Sequence, residues 1–187
     1  MNLEEKYLSS ERKFTGKIIN LDVEQVKLPD GQTAAREIVH HHGAAGIMPF
    51  LGNKQKMLFV KQWREPMRKL TLEIPAGKID MDENDPKEVA LRELNEETGY
   101  KSPDMYKLCS FYSTPGFSDE YMTLFVAPTL EKVAHKRSLD SDEFLNVVPL
   151  TLEQAKEQIT SGLICDAKSV LAVIQWENML LKDQLNG

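Results

Sequence analysis

Cysteine is scarce in this chain: two thiols, Cys109 and Cys165, stand in no paired motif among 187 residues. Two buried core thiols in a reducing compartment are therefore expected ahead of a disulfide. Long apolar runs are also missing, none nearing the ~18 residues that a membrane span needs. The opening Met1-Asn2-Leu3-Glu4-Glu5-Lys6 does not read as a signal peptide, so a soluble, cytoplasmic protein is expected. Positive charge is in deficit: 23 Lys and Arg against 29 Asp and Glu leave a net charge of −6. A surface of that sign has no electrostatic footprint for nucleic acid or an anionic membrane. It also repels a polyanionic substrate, so phosphate chemistry here calls for a cation. Internal repeats and low-complexity segments are absent.

What is present is ordinary globular material, 41% apolar and 28% charged, enough for one domain plus a small appendage. Residues 12–28 read as extended, with Leu28-Pro29-Asp30-Gly31 as a turn, and Arg36-Glu37-Ile38-Val39 as the next strand. Residues 1–42 thus form an antiparallel strand unit too small to stand alone, expected to pack on the rest or on a second chain. Residues 43–187 form the main domain. Within it, Gly46–Leu51, Met57–Trp63 and Leu70–Ile74 are short core strands, and 77–84 reads as a polar loop. Asp85-Pro86-Lys87-Glu88 has the N-cap, first-turn proline and capping-box glutamate of a helix start. That helix is expected to run to Thr98 and stop at Gly99. Strands follow near Leu108–Tyr112, Met122–Pro128 and Phe144–Leu150, with a charged loop over 131–143. Two helices close the chain: one capped by Thr151 and Gln154 and ended by Gly162, the other starting near Asp166. This order predicts an α/β fold, a sheet with helices on both faces.

The segment Arg92-Glu93-Leu94-Asn95-Glu96-Glu97-Thr98-Gly99 carries the chemistry. On a helix, Glu93, Glu96 and Glu97 share one face, while Val89, Ala90 and Leu94 supply an apolar face toward the sheet. Three clustered carboxylates repel one another, and a bound cation removes that cost. Hard carboxylate oxygens select Mg²⁺, Mn²⁺ or Ca²⁺ rather than zinc. The plain alternative is a solvated acidic face with Arg92–Glu96 as a minor ion pair. His40-His41-His42 is not a ligand set, because neighbouring side chains on an extended strand point to opposite faces.

The stretch from Gly77 to Tyr100 resembles the Nudix box, in Gly77, Glu83, Arg92, Glu93, Leu94, Glu96, Glu97 and Gly99. It departs from that box in having eight rather than seven residues between Glu83 and Arg92, and in Tyr100 at an aliphatic position. The extra residue precedes the helix cap, so it bears on Glu83 alone. The resemblance implies a mixed sheet sandwiched between helices and Mg²⁺ held by Glu93, Glu96 and Glu97, with the carbonyl of Ala76 as a further ligand. It implies that Arg92 orients the glutamates. Pro115, followed by Gly116, lies 16 residues beyond Gly99 and resembles the ADP-ribose pyrophosphatase branch. The order of Arg36-Glu37-Ile38, Gln62-Trp63-Arg64, Glu73-Ile74-Pro75-Ala76-Gly77 and Asp142-Glu143-Phe144 supports the same branch. Membership there implies hydrolysis of ADP-ribose to AMP and ribose 5-phosphate, and a homodimer exchanging residues 1–42. Arg36 and Arg64, with Glu37, Pro115 and Gly116, look like substrate contacts. Trp63 is either an adenine platform or a core residue. The catalytic base is expected on the 137–143 loop, at Glu143 ahead of Asp140 and Asp142, with Glu96 as the fallback. Other nucleotide sugars such as GDP-mannose, or a non-catalytic nucleotide-sugar-binding regulator, remain open at this level.

Overall fold

In the computed structural model, residues 2–80 and 83–186 are described. The chain divides into two compact units, residues 1–43 with 110–122, and residues 44–109 with 123–187. The first unit carries a three-stranded antiparallel sheet of β1 (Lys6–Thr15), β2 (Ile19–Lys27) and β3 (Thr33–His41), in that order. Gly31 adopts φ 91° in the turn before β3, a conformation the Pro-Asp-Gly sequence suits. The segment after Pro115 is pinned to β3: Val39 N donates to Phe117 O at 2.8 Å, and Asp119 N donates to Val39 O at 3.2 Å. His40 and His41 diverge as strand alternation requires. His40 Nδ1 lies 2.6 Å from Asp119, whereas His41 Nδ1 accepts from Gly43 N at 3.0 Å.

The second unit holds the mixed sheet. Its strands are β4 (Ala44–Leu51), β5 (Lys56–Arg64), β6 (Lys69–Glu73), β7 (Ala76–Lys78), β9 (Tyr106–Tyr112), β10 (Tyr121–Ala127) and β12 (Leu145–Leu150). The order is β12-β5-β4-β10-β9, with β6 paired to β5 and β7 to β4; β9 and β10 run on into the first unit. A two-residue pair, β8 (Tyr100–Lys101) with β11 (Glu131–Lys132), stands apart. Helix α1 (Pro86–Glu93) carries the box; α2 (Leu152–Thr160) and α3 (Ala167–Asn186) close the chain. No helix among the described residues is long and apolar enough to cross a membrane.

Alternation along β4 sends side chains to both faces of the sheet. Ala45 and Ile47 pack with Val89, Ala90 and Leu94 of the box helix and with Phe125 and Ala127 of β10. Phe50 instead meets Trp176 of α3, ring centroids 5.6 Å apart. The apolar face read from the sequence is therefore the one that anchors the box. Three local expectations need correction. Ala76–Lys78 is a strand paired to β4 rather than part of a loop, because Gly46 and Ala45 offer it a free edge; positions 81 and 82 of the expected 77–84 loop lie outside the described residues. The helix does not stay α-helical to Thr98: Leu94–Thr98 widens into a π-type turn before Gly99, which stops it at φ 75°. The two thiols are not core residues: Cys109 is half-buried and Cys165 exposed, both free, because Ile164 takes the buried position of that loop.

A buried ion network ties β5, β6 and α3 together. Glu73, 3% exposed, accepts from Arg64 at 2.7 and 2.8 Å, from Lys168 at 2.5 Å and from Thr71 at 2.8 Å. Burial opposes its ionisation, but Arg64 and Lys168 outweigh that and hold the carboxyl down to about 2 from an ordinary 4.5. A depressed folded-state value stabilises the fold above the unfolded value, and this stabilisation fades as pH falls from about 4.5 toward 2. Glu73→Gln should therefore cost roughly 2–3 kcal/mol at pH 7, slightly less than a fully buried broken pair because Arg64 is partly open. The urea midpoint of the parent should fall more between pH 6 and pH 3 than that of Glu73→Gln; equal falls would remove this network from acid stability.

Candidate metal and pyrophosphate site

Arg92 is the hub of the box. Its Nε and NH2 donate to the two oxygens of Glu83 at 2.9 and 3.1 Å, and its NH1 donates to Glu93 Oε1 at 2.7 Å and Glu96 Oε2 at 2.9 Å. With the extra residue between them, Glu83 still pairs with Arg92 through both of its oxygens. Glu97 is turned inward, 2% exposed, and accepts from the backbone N of Ala76 at 3.2 Å. Strand β7 and the box helix are thereby locked at one register.

Gly77 permits this packing. A Cβ there would lie 1.7 Å from Glu93 Oε1 and 2.6 Å from its Cγ, so only glycine lets Glu93 lie against the strand. Burial pushes the Glu93 carboxyl up to about 7; Arg92 partly offsets this, and the charges of Glu96 and Glu143 add to it. Burial likewise holds Glu97 well above the carboxylate range, with Glu93 and Glu143 contributing.

Among the described residues, no three acidic, imidazole or thiol groups already converge as a metal cage. The donors nonetheless fit a hard divalent cation. Glu93, Glu96 and Glu97 are each oriented through one oxygen; among the described residues the other accepts no hydrogen bond, and Arg137 NH1 stands 3.9 Å from Glu96 Oε1. Two carboxyls whose ionisation burial opposes gain most from a cation that replaces the proton. Ala76, the expected carbonyl ligand, stands beside them on β7.

The structure separates the remaining candidates. Arg64 and Trp63 are neighbours on β5, in the unit that holds the box. Arg64 is raised by Glu73 and also feels Glu97, so it stands near the carboxylates. Trp63 is not a core residue: it is 52% exposed, donates its indole N–H to Glu65 at 2.8 Å, and lines a cleft of about 530 Å³ with Leu70, Leu139, Glu143 and Phe144. Glu143 is half-buried, and its carboxyl is raised by burial and then by Asp140 and Asp142, which are both exposed. Its charge is felt by Glu93 and Glu97. Arg36, Glu37, Pro115 and Gly116 come together in the first unit, around a cleft of about 930 Å³ that Tyr112 and Phe117 also line. Arg36 is paired there with Glu5, a partner that sequence reasoning did not name. Also unforeseen are the contacts that pin the acidic loop to the box. Asn95 Oδ1 accepts from Arg137 N at 2.8 Å, Lys136 Nζ donates to Glu97 O at 3.2 Å, and Val133 N donates to Gly99 O at 3.0 Å. Asn95 fills the unrestricted position of the box, so its identity carried no signal.

An arginine-organised carboxylate cluster on a helix bonded to the Ala76 N–H of β7 is consistent with the Nudix resemblance read from the sequence. The chain belongs to that family: the NUDIX domain model matches residues 40–170. It is 44% identical over 186 residues to the ADP-ribose pyrophosphatase of Bacillus subtilis (strain 168), covering 100% of this chain and 98% of that one. It is also 45% identical over 170 residues to the methanol dehydrogenase activator of Bacillus methanolicus, covering 91% of each. A solved structure described as an ADP compounds hydrolase matches its fold with a TM-score of 0.83 over 98% of both chains, at 20% identity.

Gly77→Ala tests the packing at Glu93. The variant should fold, because the obstruction is a side chain that can swing away, yet turnover should drop about 10²-fold, as expected when a reacting group is misplaced by an ångström. Unchanged kcat in a correctly folded Gly77→Ala protein would show that Glu93 does not need its place against β7.

Proposed function

We propose that this protein hydrolyses the pyrophosphate bond of ADP-ribose, releasing AMP and ribose 5-phosphate, with Mg²⁺ as cofactor and Mn²⁺ able to replace it. The observation that carries the reading is the Glu93, Glu96 and Glu97 cluster, each carboxylate keeping one oxygen without a hydrogen bond among the described residues. The choice of ADP-ribose is supported by the whole-length relative from Bacillus subtilis that bears that name. When bound, the cation neutralises pyrophosphate charge and lowers the pKa of the attacking water. Arg92 holds Glu93 and Glu96 in place. Glu143 accepts the proton from that water, and its raised carboxyl brings a base closer to neutrality. Asp140 and Asp142 act through Glu143 by their charge. Arg64 and Arg36 are assigned to phosphate or ribose, Glu37, Pro115 and Gly116 to the nucleotide sugar, and the exposed face of Trp63 to adenine. The name of the Bacillus methanolicus relative favours a second, regulatory reading. Retention of all three box glutamates favours catalysis. The free thiols fit residence in a reducing cytoplasm.

A panel of ADP-ribose, GDP-mannose and dinucleotides with Mg²⁺, products identified by mass, tests the substrate. Glu97→Gln should nearly abolish ADP-ribose turnover with the fold intact, and Glu143→Gln should lower kcat by about 10²–10⁴ with little change in KM. Full activity in excess chelator, or kcat within threefold of the parent in both variants, would contradict the reading.

We further propose a homodimer built on the N-terminal strand unit of residues 1–42. Every residue of β1 is exposed, including Tyr7, Leu8 and Phe14 at 61%, 50% and 53%, an apolar surface that a monomer leaves in water. Light scattering at micromolar concentration should give twice the chain mass, and Leu8→Asp with Phe14→Asp should shift it toward monomer. A monomeric parent protein would exclude the dimer.

A further inference from the structure

Several cations stand around the box, and among the described residues most are committed to a nearby oxygen. Arg92 spends Nε, NH1 and NH2 on Glu83, Glu93 and Glu96. Arg64 spends Nε and NH2 on Glu73. Lys136 gives its ammonium to the Glu97 carbonyl, and Lys78 pairs with Asp80 at 3.6 Å. Arg137 differs. Its backbone N is fixed on Asn95 Oδ1 at 2.8 Å, yet its guanidinium makes no hydrogen bond among the described residues. The side chain is 61% exposed, and NH1 stands 3.9 Å from Glu96 Oε1, the oxygen that Arg92 leaves alone.

This arrangement is unusual for an exposed loop arginine. Its entropy is high, and the loop on which it rides has no strand partner after β11. The backbone is nevertheless held at one place by a side chain of the box helix itself, flanked by the Lys136 and Val133 contacts. The result is a planar fork of donors beside the Glu96 oxygen that would help hold a cation. A phosphate bound at such a cation would be open to that fork, since guanidinium geometry matches two phosphate oxygens at once.

We propose that Arg137 is a substrate-contacting catalytic residue that binds the pyrophosphate and stabilises the charge developing on it, and that Asn95 is its positioning residue. This rests on the reading that Glu96 helps hold the cation. The pairing with Glu96 is then the resting state, exchanged for phosphate when substrate arrives. Arg137 also puts positive charge on a loop whose other end carries Asp140, Asp142 and Glu143, so the same loop brings one group for the phosphate and one for the water.

The test uses the full chain with Mg²⁺ and ADP-ribose, together with calorimetric binding of the non-hydrolysable α,β-methylene analogue. Arg137→Gln should lower kcat/KM about 10²-fold, the scale of losing one preorganised donor. It should weaken the analogue about tenfold while Mn²⁺ affinity, read by electron paramagnetic resonance, and the thermal midpoint stay unchanged. Arg137→Lys should recover only part, because an ammonium lacks the fork. Asn95→Ala should show a smaller loss of the same kind, and Asn95→Ala with Arg137→Gln should be no worse than Arg137→Gln alone, since one acts through the other. Kinetics and analogue binding within threefold of the parent in Arg137→Gln, while Glu97→Gln has lost turnover, would overturn the proposal and leave the box reading standing. A weakened Mn²⁺ affinity in Arg137→Gln would also overturn it, by assigning the arginine to the metal ligands. A fully active Glu97→Gln enzyme would remove the box reading and this proposal with it.

Discussion

One guanidinium holds the site together. Arg92 bonds three carboxylates, Glu83, Glu93 and Glu96, each through oxygens within 3.1 Å. Without that positive charge, carboxylates this close would repel one another, and the last turn of the box helix would splay. The bonds also choose which oxygen of Glu93 and Glu96 faces inward to the arginine. A hard cation asks for oxygens oriented by their neighbours yet without hydrogen bonds of their own. Because Arg92 also reaches Glu83 across the preceding loop, the loop, helix and strand β7 share one arrangement.

The widened turn over Leu94–Thr98 follows from the same demands. Leu94 must stay in the core against Ala45 and Ile47, while Glu97 must reach the Ala76 N–H on β7. The π-type turn that begins at Leu94 lies between these two contacts. Such a turn is rare, because its hydrogen bonds are poorer, and it recurs at functional sites. Here other bonds offset the cost: Thr98 Oγ1 to the Leu94 carbonyl, and Lys136 to the Glu97 carbonyl. The loop that carries Glu143 is thereby attached to the distorted turn itself.

The two supports of the site are of different kinds. Glu73, Arg64 and Lys168 form a buried ion network, which holds its geometry through charge and is sensitive to acid. Gly77 and Glu93 form a steric contact, which holds its geometry through the absence of a single carbon atom. One support fixes Arg64 on β5. The other fixes the depth of a box carboxylate. Each joins a strand to a helix: β5 and β6 to α3 in the first, β7 to α1 in the second.

Much of this was legible in the chain itself, for reasons that can be named. Asp85, Pro86 and Gly99 bracket the box helix because capping and left-handed termination are local preferences, and Val89, Ala90 and Leu94 mark its buried face because helical periodicity is local too. The carboxylate cluster and its arginine were readable because i, i+3 and i+4 neighbours meet on any helix. Other features depend on residues distant in sequence. Trp63 was open to two readings until the packing of β5 left it at the surface, and Cys165 faces water because Ile164 points inward. Asn95 had no visible role until a loop some forty positions later brought the Arg137 N–H to it. Glu83 was in doubt because an inserted residue has no local signature of which way a loop absorbs it. Local chemistry along the chain determined which residues could hold a cation; only the tertiary structure decided which oxygens they offer and which distant groups stand beside them, because those contacts join positions that the chain brings together only by folding.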